Sequence, residues 1–506
     1  MAMHLSTLLN GVDYRIIKGD LNARVVSVEN DSRKVSKDSL FVAVIGAVCD
    51  GHDYIFRAME QGASCVVVSK ERKGLSDEEI IKESASYNTT VIEMEDTRIA
   101  VAILCAQLYG HPEDRLNLVG ITGTKGKTTT AFMIHDILKL DENKMGLIGT
   151  VCNIINGEKR KTERTTPEAL DIYTLMDEMA RKKVDSCVME VSSHGLKFNR
   201  VYGLRFDIGC FTNFFEDHIG PNDHPDLDDY FNSKLKLFDS SRIAVVNSDC
   251  NKADEVFAYA SKRCTVYTYG LSEKSDCYAT NIDICRRNGR VGTRFDLVSP
   301  WYEGEVFISL PGKFNVYNAL CAICAAGVLK VDFEIVKEAL ANVFVPGRLQ
   351  PVPNNFGIAC LVDYAHNAAS LQSVLESLRP YAEGEIITVF GCGGNRSKVR
   401  RPEMGEVSGK YSDYTIITSD NPRDEEPDEI IKDIVEGMKK TNGRYEVDPD
   451  RTSAIRKALH RAKKGDFVLI AGKGHEDYQE FENGRKEYYE DAVVAKELIA
   501  EMEDNL

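Results

Sequence analysis

The run Gly123-Thr124-Lys125-Gly126-Lys127-Thr128-Thr129 has the residue types, in the right order, to hold a nucleoside polyphosphate. Glycines let backbone N–H groups crowd phosphate oxygens, and a helix opening directly after them favours negative charge there. Lys127 is placed to reach the β- and γ-phosphates, and the Thr128 hydroxyl to face Mg²⁺. The spacing departs from the usual GxxxxGK[ST] pattern, because Ile121 stands where the first glycine should be. A second reactive group is Glu190, late in the apolar run Val184–Val191. A carboxylate there is costly unless it meets a cation, and the Mg²⁺ of a nucleotide is the natural one. His218 comes shortly after a third apolar run, Phe206–Thr212.

These groups need elements to position them. Leu116–Ile121 is long enough for one buried strand, and an amphipathic helix is expected from the loop to about Lys139. Gly123, Glu190 and His218 then all follow the carboxyl ends of strands in a βαβ series. Open parallel sheets bind ligands along that edge, so one shared site is expected. Between them, Arg164-Thr165-Thr166-Pro167-Glu168 reads as a loop opening a helix, with Thr166 as N-cap and Pro167 in the first helical position. Farther on, Pro311–Asn318 opens an Ala-rich helix, and Asn315 and Asn318 share a face that can cap the helix or bond a base edge. Cys277–Ile308 is strand-rich and expected as an antiparallel side feature.

Near the carboxyl terminus the pattern repeats. Strands are expected at Ile358–Val362, Ile386–Phe390, Thr415–Thr418 and Phe467–Ala471. Each runs into a polar loop: Asp363–His366, Gly391–Arg401, Asp420-Asn421-Pro422-Arg423 and Gly472–Glu476. Arg396 and Arg423 suit carboxylates, and Asp420 and Glu476 suit an ammonium, which describes a pocket for a zwitterion with an extra charged group. Gly and Pro interruptions at Tyr109–Pro112 and Val345–Arg348 divide the chain into residues 1–112, 113–345 and 346–506. The expected fold class is therefore α/β in three domains. A central P-loop-type parallel-sheet ATPase domain is flanked by an N-terminal α/β domain and a C-terminal Rossmann-like domain.

Composition narrows the options. At 506 residues with 43% hydrophobic residues, the chain can build three ordinary cores. A formal charge of −16 argues against nucleic acid as a partner. The first twenty residues lack the pattern of a signal peptide, and no apolar run approaches the roughly 18 residues of a membrane span, so a cytoplasmic protein without membrane insertion is expected. The 14 cysteines follow no metal or disulfide spacing and read as buried thiols.

In sum, the chain resembles the Mur ligases, and among them the tripeptide synthetases of the MurE type. The likeness rests on Asp31-Ser32-Arg33 with Asp50-Gly51-His52, the loop 123–129, Thr165–Glu168, Glu190–Gly195 with Arg200, Asp217-His218 and Pro311–Asn318. It continues through Asp363–His366, Gly391–Arg396, Asp420–Arg423 and Gly472–Glu476. It implies ATP-dependent amide formation. The side-chain carboxylate of D-glutamate in UDP-N-acetylmuramoyl-L-Ala-D-Glu would be phosphorylated, and the acyl phosphate attacked by a diamino acid. By the same likeness, Ser32 and Ala47, Val48 and Cys49 would meet the uridine nucleotide, and Thr165, Thr166, Ser192 and Arg200 the muramoyl dipeptide. ATP would be held by the loop with Asn315, Arg348, Asp363 and His366. Thr128, Glu190 and His218 would bind Mg²⁺, together with a carbamylated Lys234 in Tyr230–Phe238. Arg396, Asp420–Arg423, Gly472 and Glu476 would grip the diamino acid. Asp-Asn-Pro-Arg resembles the pattern of members that add meso-diaminopimelate, since L-lysine would leave Arg423 without a carboxylate.

Two stretches depart from that pattern. Phe214–Asp229 lacks the commoner Asp-His-Leu-Asp form, which leaves the neighbours of His218 open. The tail has Tyr489-Glu490-Asp491 in place of an aromatic-Asp-Asp form, a change expected to matter little. Competing readings are an L-lysine-adding ligase, another Mur or folylpolyglutamate-type ligase, and a non-catalytic ATP-binding switch. A monomer is expected, with the hinge near Pro346–Arg348 closing the second and third domains on each other.

Overall fold

A computed structural model describes residues 2–46, 49–220, 223–287 and 290–504. They form two compact units, Met1–Asp276 with Cys321–Val331, and Cys277–Leu320 with Asp332–Leu506.

The first unit holds two sheets. In the N-terminal one, Ser27–Glu29, Ser39–Val42, Cys65–Ser69 and Thr90–Met94 run parallel, and Arg15–Lys18 joins antiparallel at the edge. The second sheet is built around Asn117–Thr122. Its neighbours are Ser186–Glu190 on one side and Phe206–Phe211 on the other, both parallel to it. Met145–Ile148, Ser241–Asn247 and Thr265–Gly270 extend the parallel run. The central strands of this sheet are buried along most of their length, as expected of parallel strands covered on both faces. Helices Thr97–Tyr109 and Ala169–Arg181 pack in one core that joins the two sheets, with Leu104, Ile172 and Met176 unexposed.

The second unit carries the antiparallel strands Cys277–Arg287, Arg290–Val298 and Glu303–Ile308, as the sequence predicts. Its main sheet has the order Gln350–Val352, Ala359–Asp363, Phe467–Ala471, Ile386–Phe390, Tyr414–Ile417 and Arg444–Val447. All neighbours are parallel except the first pair. Among the described residues, no helix is long and apolar enough to cross a membrane. All fourteen cysteines are free, and most are buried.

One buried ion pair braces the second sheet. Arg451 opens helix Arg451–Arg461 and Asp491 opens helix Asp491–Asp504, and both side chains are 0% exposed. The guanidinium meets both carboxylate oxygens at 2.7 Å. It also donates to Ser419 O at 3.2 Å and Ala471 O at 3.0 Å, just ahead of two of the polar loops. The tail variation falls on Glu490, whereas Asp491, which closes this pair, keeps the common form. Removing one partner strands a buried charge. Asp491→Ala is expected to lower the stability of this unit by about 3–5 kcal/mol in denaturant titration, far more than Glu490→Ala.

Candidate functional site

The phosphate loop is set by two glycines. Gly123 has φ +141°, and a Cβ there would lie 2.0 Å from Thr212 Oγ1 and 3.0 Å from Asn213 N. Gly126, at φ +86°, opens helix Lys127–Leu140 without any side-chain cap, so the first N–H groups of the helix keep their capacity for an anion. The strand Phe206–Phe211 supplies the clamp that holds the loop. Asn213 Oδ1 accepts from Lys125 N at 2.8 Å, its Nδ2 donates to Lys125 O at 3.0 Å, and Thr212 Oγ1 donates to the same carbonyl at 2.6 Å. Lys127 Nζ curls back onto Gly123 O at 2.9 Å and Thr124 O at 3.1 Å. Thr129 is buried in the first helical turn.

Glu190 is 0% exposed at the end of its strand. Its Oε1 accepts from Thr150 N at 2.8 Å, and its Oε2 from the Thr128 and Thr150 hydroxyls, each at 2.9 Å. Thr150 escaped the sequence reading. Its signal was Gly149-Thr150 directly after the apolar strand Met145–Ile148, one more carboxyl end on the same edge. A Cβ on Gly149 would stand 2.4 Å from Glu190 Oε1, which accounts for the glycine.

Next to Glu190 the structure gathers the polar residues expected around the dipeptide. Thr150 Oγ1 lies 3.0 Å from Thr165 Oγ1. Thr166 Oγ1 lies 2.9 Å from Glu190 O and accepts from Ser192 N at 2.9 Å. Arg200 Nη1 donates to Thr166 O at 3.1 Å, and Nη2 pairs with Glu168 at 3.0 Å. Arg200 Nε is buried without a hydrogen-bond partner among the described residues. The capping role expected of Thr166 is corrected: the helix begins at Ala169 with Glu168 as N-cap, because the Thr166 hydroxyl is drawn to the end of the Glu190 strand.

Lys234, in helix Leu227–Leu235, is 1% exposed. Its Nζ donates to Gly123 O at 2.9 Å and lies 4.3 Å from the centre of the Tyr230 ring. Burial, reinforced by the positive charge of Lys127, holds the Lys234 amine well below its usual pKa. His218, with φ +56°, is exposed among groups the sequence did not flag. Asp223 Oδ1 stands 3.7 Å from His218 Nδ1 and 3.1 Å from His194 Nε2. His224 is locked behind them, with Nδ1 2.5 Å from Asp229 Oδ2 and Nε2 3.0 Å from Ser193 Oγ. Burial pushes His194 down to about 4, so its imidazole is neutral near pH 7.

In the N-terminal sheet, Asp31 Oδ1 accepts from Arg33 N at 3.0 Å, and Ser32 is buried at the start of the turn. His52 Nδ1 lies 2.6 Å from Asp50 Oδ1, and His52 Nε2 accepts from Ser69 N at 2.9 Å. Asp50-Gly51-His52 is thus a bracket between loop and strand. Cys49 is exposed, whereas Ala47 and Val48 lie outside the described residues.

The second unit presents a cavity of about 160 Å³, lined by residues from all four polar loops. Tyr364 and His366 come from the first, Arg396 from the second, Asp420 and Arg423 from the third, and Gly472 and Glu476 from the fourth. Asn421 organises it: Nδ2 donates to Glu476 Oε2 at 2.8 Å, and Oδ1 accepts from Lys473 Nζ at 3.0 Å and Glu480 N at 3.0 Å. Lys473, absent from the expected set, is fully buried and lies 3.2 Å from Glu476 Oε2. Burial raises the Glu476 carboxyl above its usual pKa despite that lysine. Gly394 lets Pro422 approach, since a Cβ would fall 1.9 Å from Pro422 O.

Of the residues expected around ATP in this unit, Asp363 serves the backbone. Its oxygens accept from Ala365 N and Leu349 N, each at 2.8 Å. Arg348 stacks 4.7 Å over the Tyr364 ring. Asn315 turns inward, with Nδ2 donating to Pro311 O at 2.9 Å and Oδ1 accepting from Asn318 at 3.1 Å.

A glycine loop opening an uncapped helix in one sheet and a two-signed cavity at the carboxyl edge of another accompany a clear family match. Residues 121–326 match the Mur ligase middle domain, 347–474 the Mur ligase glutamate ligase domain, and 24–109 the catalytic domain of the Mur ligase family. A UDP-N-acetylmuramoyl-L-alanyl-D-glutamate--2,6-diaminopimelate ligase of Clostridium acetobutylicum is 41% identical over 503 residues, covering 99% of this chain and 100% of the relative. The chain belongs to the Mur ligase family. The corresponding ligase of Clostridioides difficile is 42% identical over 505 residues, again covering 99% of this Mur ligase and all of the relative. A solved structure of a ligase of the same name superposes with a TM-score of 0.72 at 27% identity, covering 99% of this chain and 100% of that one. The three-domain α/β Mur ligase fold expected from the sequence is thereby established.

Gly123→Ala in this Mur ligase is expected to weaken binding of a fluorescent ATP analogue by at least about tenfold in a titration. It both places a Cβ against Thr212 and demands a φ that L residues avoid.

Proposed function

We propose that this Mur ligase joins meso-diaminopimelate to UDP-N-acetylmuramoyl-L-alanyl-D-glutamate at the expense of ATP, in the synthesis of peptidoglycan precursors. What supports the choice of amine is the cavity of the second unit. It offers Arg396 and Arg423 for two carboxylates and Asp420 and Glu476 for ammonium groups. L-lysine carries one carboxylate fewer and would leave a desolvated arginine without a partner. The full-length curated relatives named above carry this activity in their names. In this reading residues 1–112 receive the UDP-muramoyl dipeptide, 113–345 the ATP, and 346–506 the diamino acid.

A carboxylate is a poor electrophile, and phosphorylation gives it a leaving group. The protein then has to position the partners and neutralise charge. The first turn of helix Lys127–Leu140 and Lys127 hold the polyphosphate. Thr165, Thr166, Ser192 and Arg200 hold the dipeptide beside Glu190, and the buried Nε of Arg200 is a donor ready for a substrate oxygen. The oxygens of Thr128 and Glu190 form a hard donor set that fits Mg²⁺, with His218 as a further ligand. Mg²⁺, when bound, would offset the charge that gathers on the transferring phosphoryl group. Burial that lowers the Lys234 pKa favours the un-ionised amine that carbamylation by CO₂ requires: nitrogen bonds to carbon, a proton leaves, and the neutral amine becomes an anionic ligand.

Phosphate release with ATP, Mg²⁺ and UDP-N-acetylmuramoyl-L-Ala-D-Glu tests the reading directly. Turnover is expected with meso-diaminopimelate and far less with L-lysine, and Arg423→Ala is expected to raise KM for diaminopimelate about 10–100-fold. Preference for lysine would overturn the assignment of the cavity, and phosphate release without any amine would favour a switch protein. For Lys234, intact mass measured in bicarbonate is expected to show one carbamate that acid removes. Lys234→Ala is expected to cut turnover about 10–100-fold.

A further inference from the structure

Arg423 is held by a residue outside all four cavity loops. Its main chain adopts φ +53°, and its N–H donates to Glu480 O at 3.0 Å. Its side chain is then divided. Nε donates to Glu480 Oε2 at 2.9 Å and Nη1 to Gly394 O at 2.8 Å, while Nη2 has no protein partner among the described residues. Glu480 ends the short strand Tyr478–Glu480, which is tied to Asn421 through Glu480 N. The pair is four-fifths buried, with side chains 19% and 21% exposed, so the contact works in a reduced dielectric. Gly393 makes room for it, because a Cβ there would sit 2.9 Å from Arg423 Nη1.

A guanidinium with five donors can meet a carboxylate through either of two edges, and a flexible arginine loses entropy in choosing one. With Nε and Nη1 already occupied, that choice has been made before substrate arrives. We propose that Glu480 is a positioning residue for selection of the amine: it fixes Arg423 so that Nη2 is presented to the distal carboxylate of the diamino acid. The inference rests on the functional reading above. It makes discrimination against an amine without that carboxylate depend on a residue that touches no substrate.

The test compares Glu480→Ala and Glu480→Gln in the full-length enzyme, with phosphate release read against each substrate. Wild-type turnover with meso-diaminopimelate comes first, and its absence would overturn both the functional reading and this inference. Given that turnover, Glu480→Ala is expected to raise KM for diaminopimelate by about tenfold or more, with kcat within about threefold and KM for ATP unchanged. The slow reaction with L-lysine should stay where it was, so selectivity falls. Glu480→Gln retains an oxygen acceptor for Nε and is expected to recover most of the wild-type KM. Equal losses for ATP and diaminopimelate, or an unchanged KM, would reduce Glu480 to a structural role. A lower KM would make it a carboxylate that the substrate must displace. Each of these results overturns the proposal.

Discussion

The architecture of the first unit turns on a carboxylate that water cannot reach. Glu190 is fully buried, and such a group survives only where donors replace its hydration. Thr128 and Thr150 supply them from the ends of two neighbouring segments. The result is a rigid junction between the phosphate loop, the Glu190 strand and the turn after Met145–Ile148. If the Thr128 hydroxyl is displaced, Thr150 still holds both oxygens of Glu190. Any cation entering here therefore meets a carboxylate already oriented.

The second unit uses charge in the same way. Arg451 and Asp491 hold the ends of two strands from behind, and Arg401, itself 1% exposed, reaches Glu425 and Asp433 to hold the cavity loops from the side. Buried pairs of this kind gain little net stability over apolar packing, yet each breaks expensively and so selects one arrangement. Ion pairs anchored outside the cavity thus help to fix its shape.

Much of this was legible in the residues. Apolar runs followed by Gly, Asp, His or Lys marked the parallel strands and the edge where ligands gather, and the strand ends fell within two or three residues of expectation. Side-chain direction was the harder matter. Thr166 has the type and position of a helix cap, but the nearby end of the Glu190 strand is the stronger attractor. Asn315 and Asn318 bond each other and the chain, a choice that spacing left open. His194, Asp223 and His224 come together through an irregular loop with no period to read. Glu480 meets Arg423 across 57 residues of chain, and Thr150 meets Glu190 across 40. Contacts at such separations follow from the fold and leave no local pattern.

The cavity of the second unit is small, and charged side chains of both signs face it. A compound shaped to fill it would have to be a compact polyion, with anionic and cationic groups placed as rigidly as the walls themselves. Such molecules leave water for the interior of a lipid bilayer only at great cost. The charged walls proposed to select the diamino acid would thus also shield this pocket from most uncharged xenobiotics. An antagonist aimed at this pocket would face permeation as its hardest barrier.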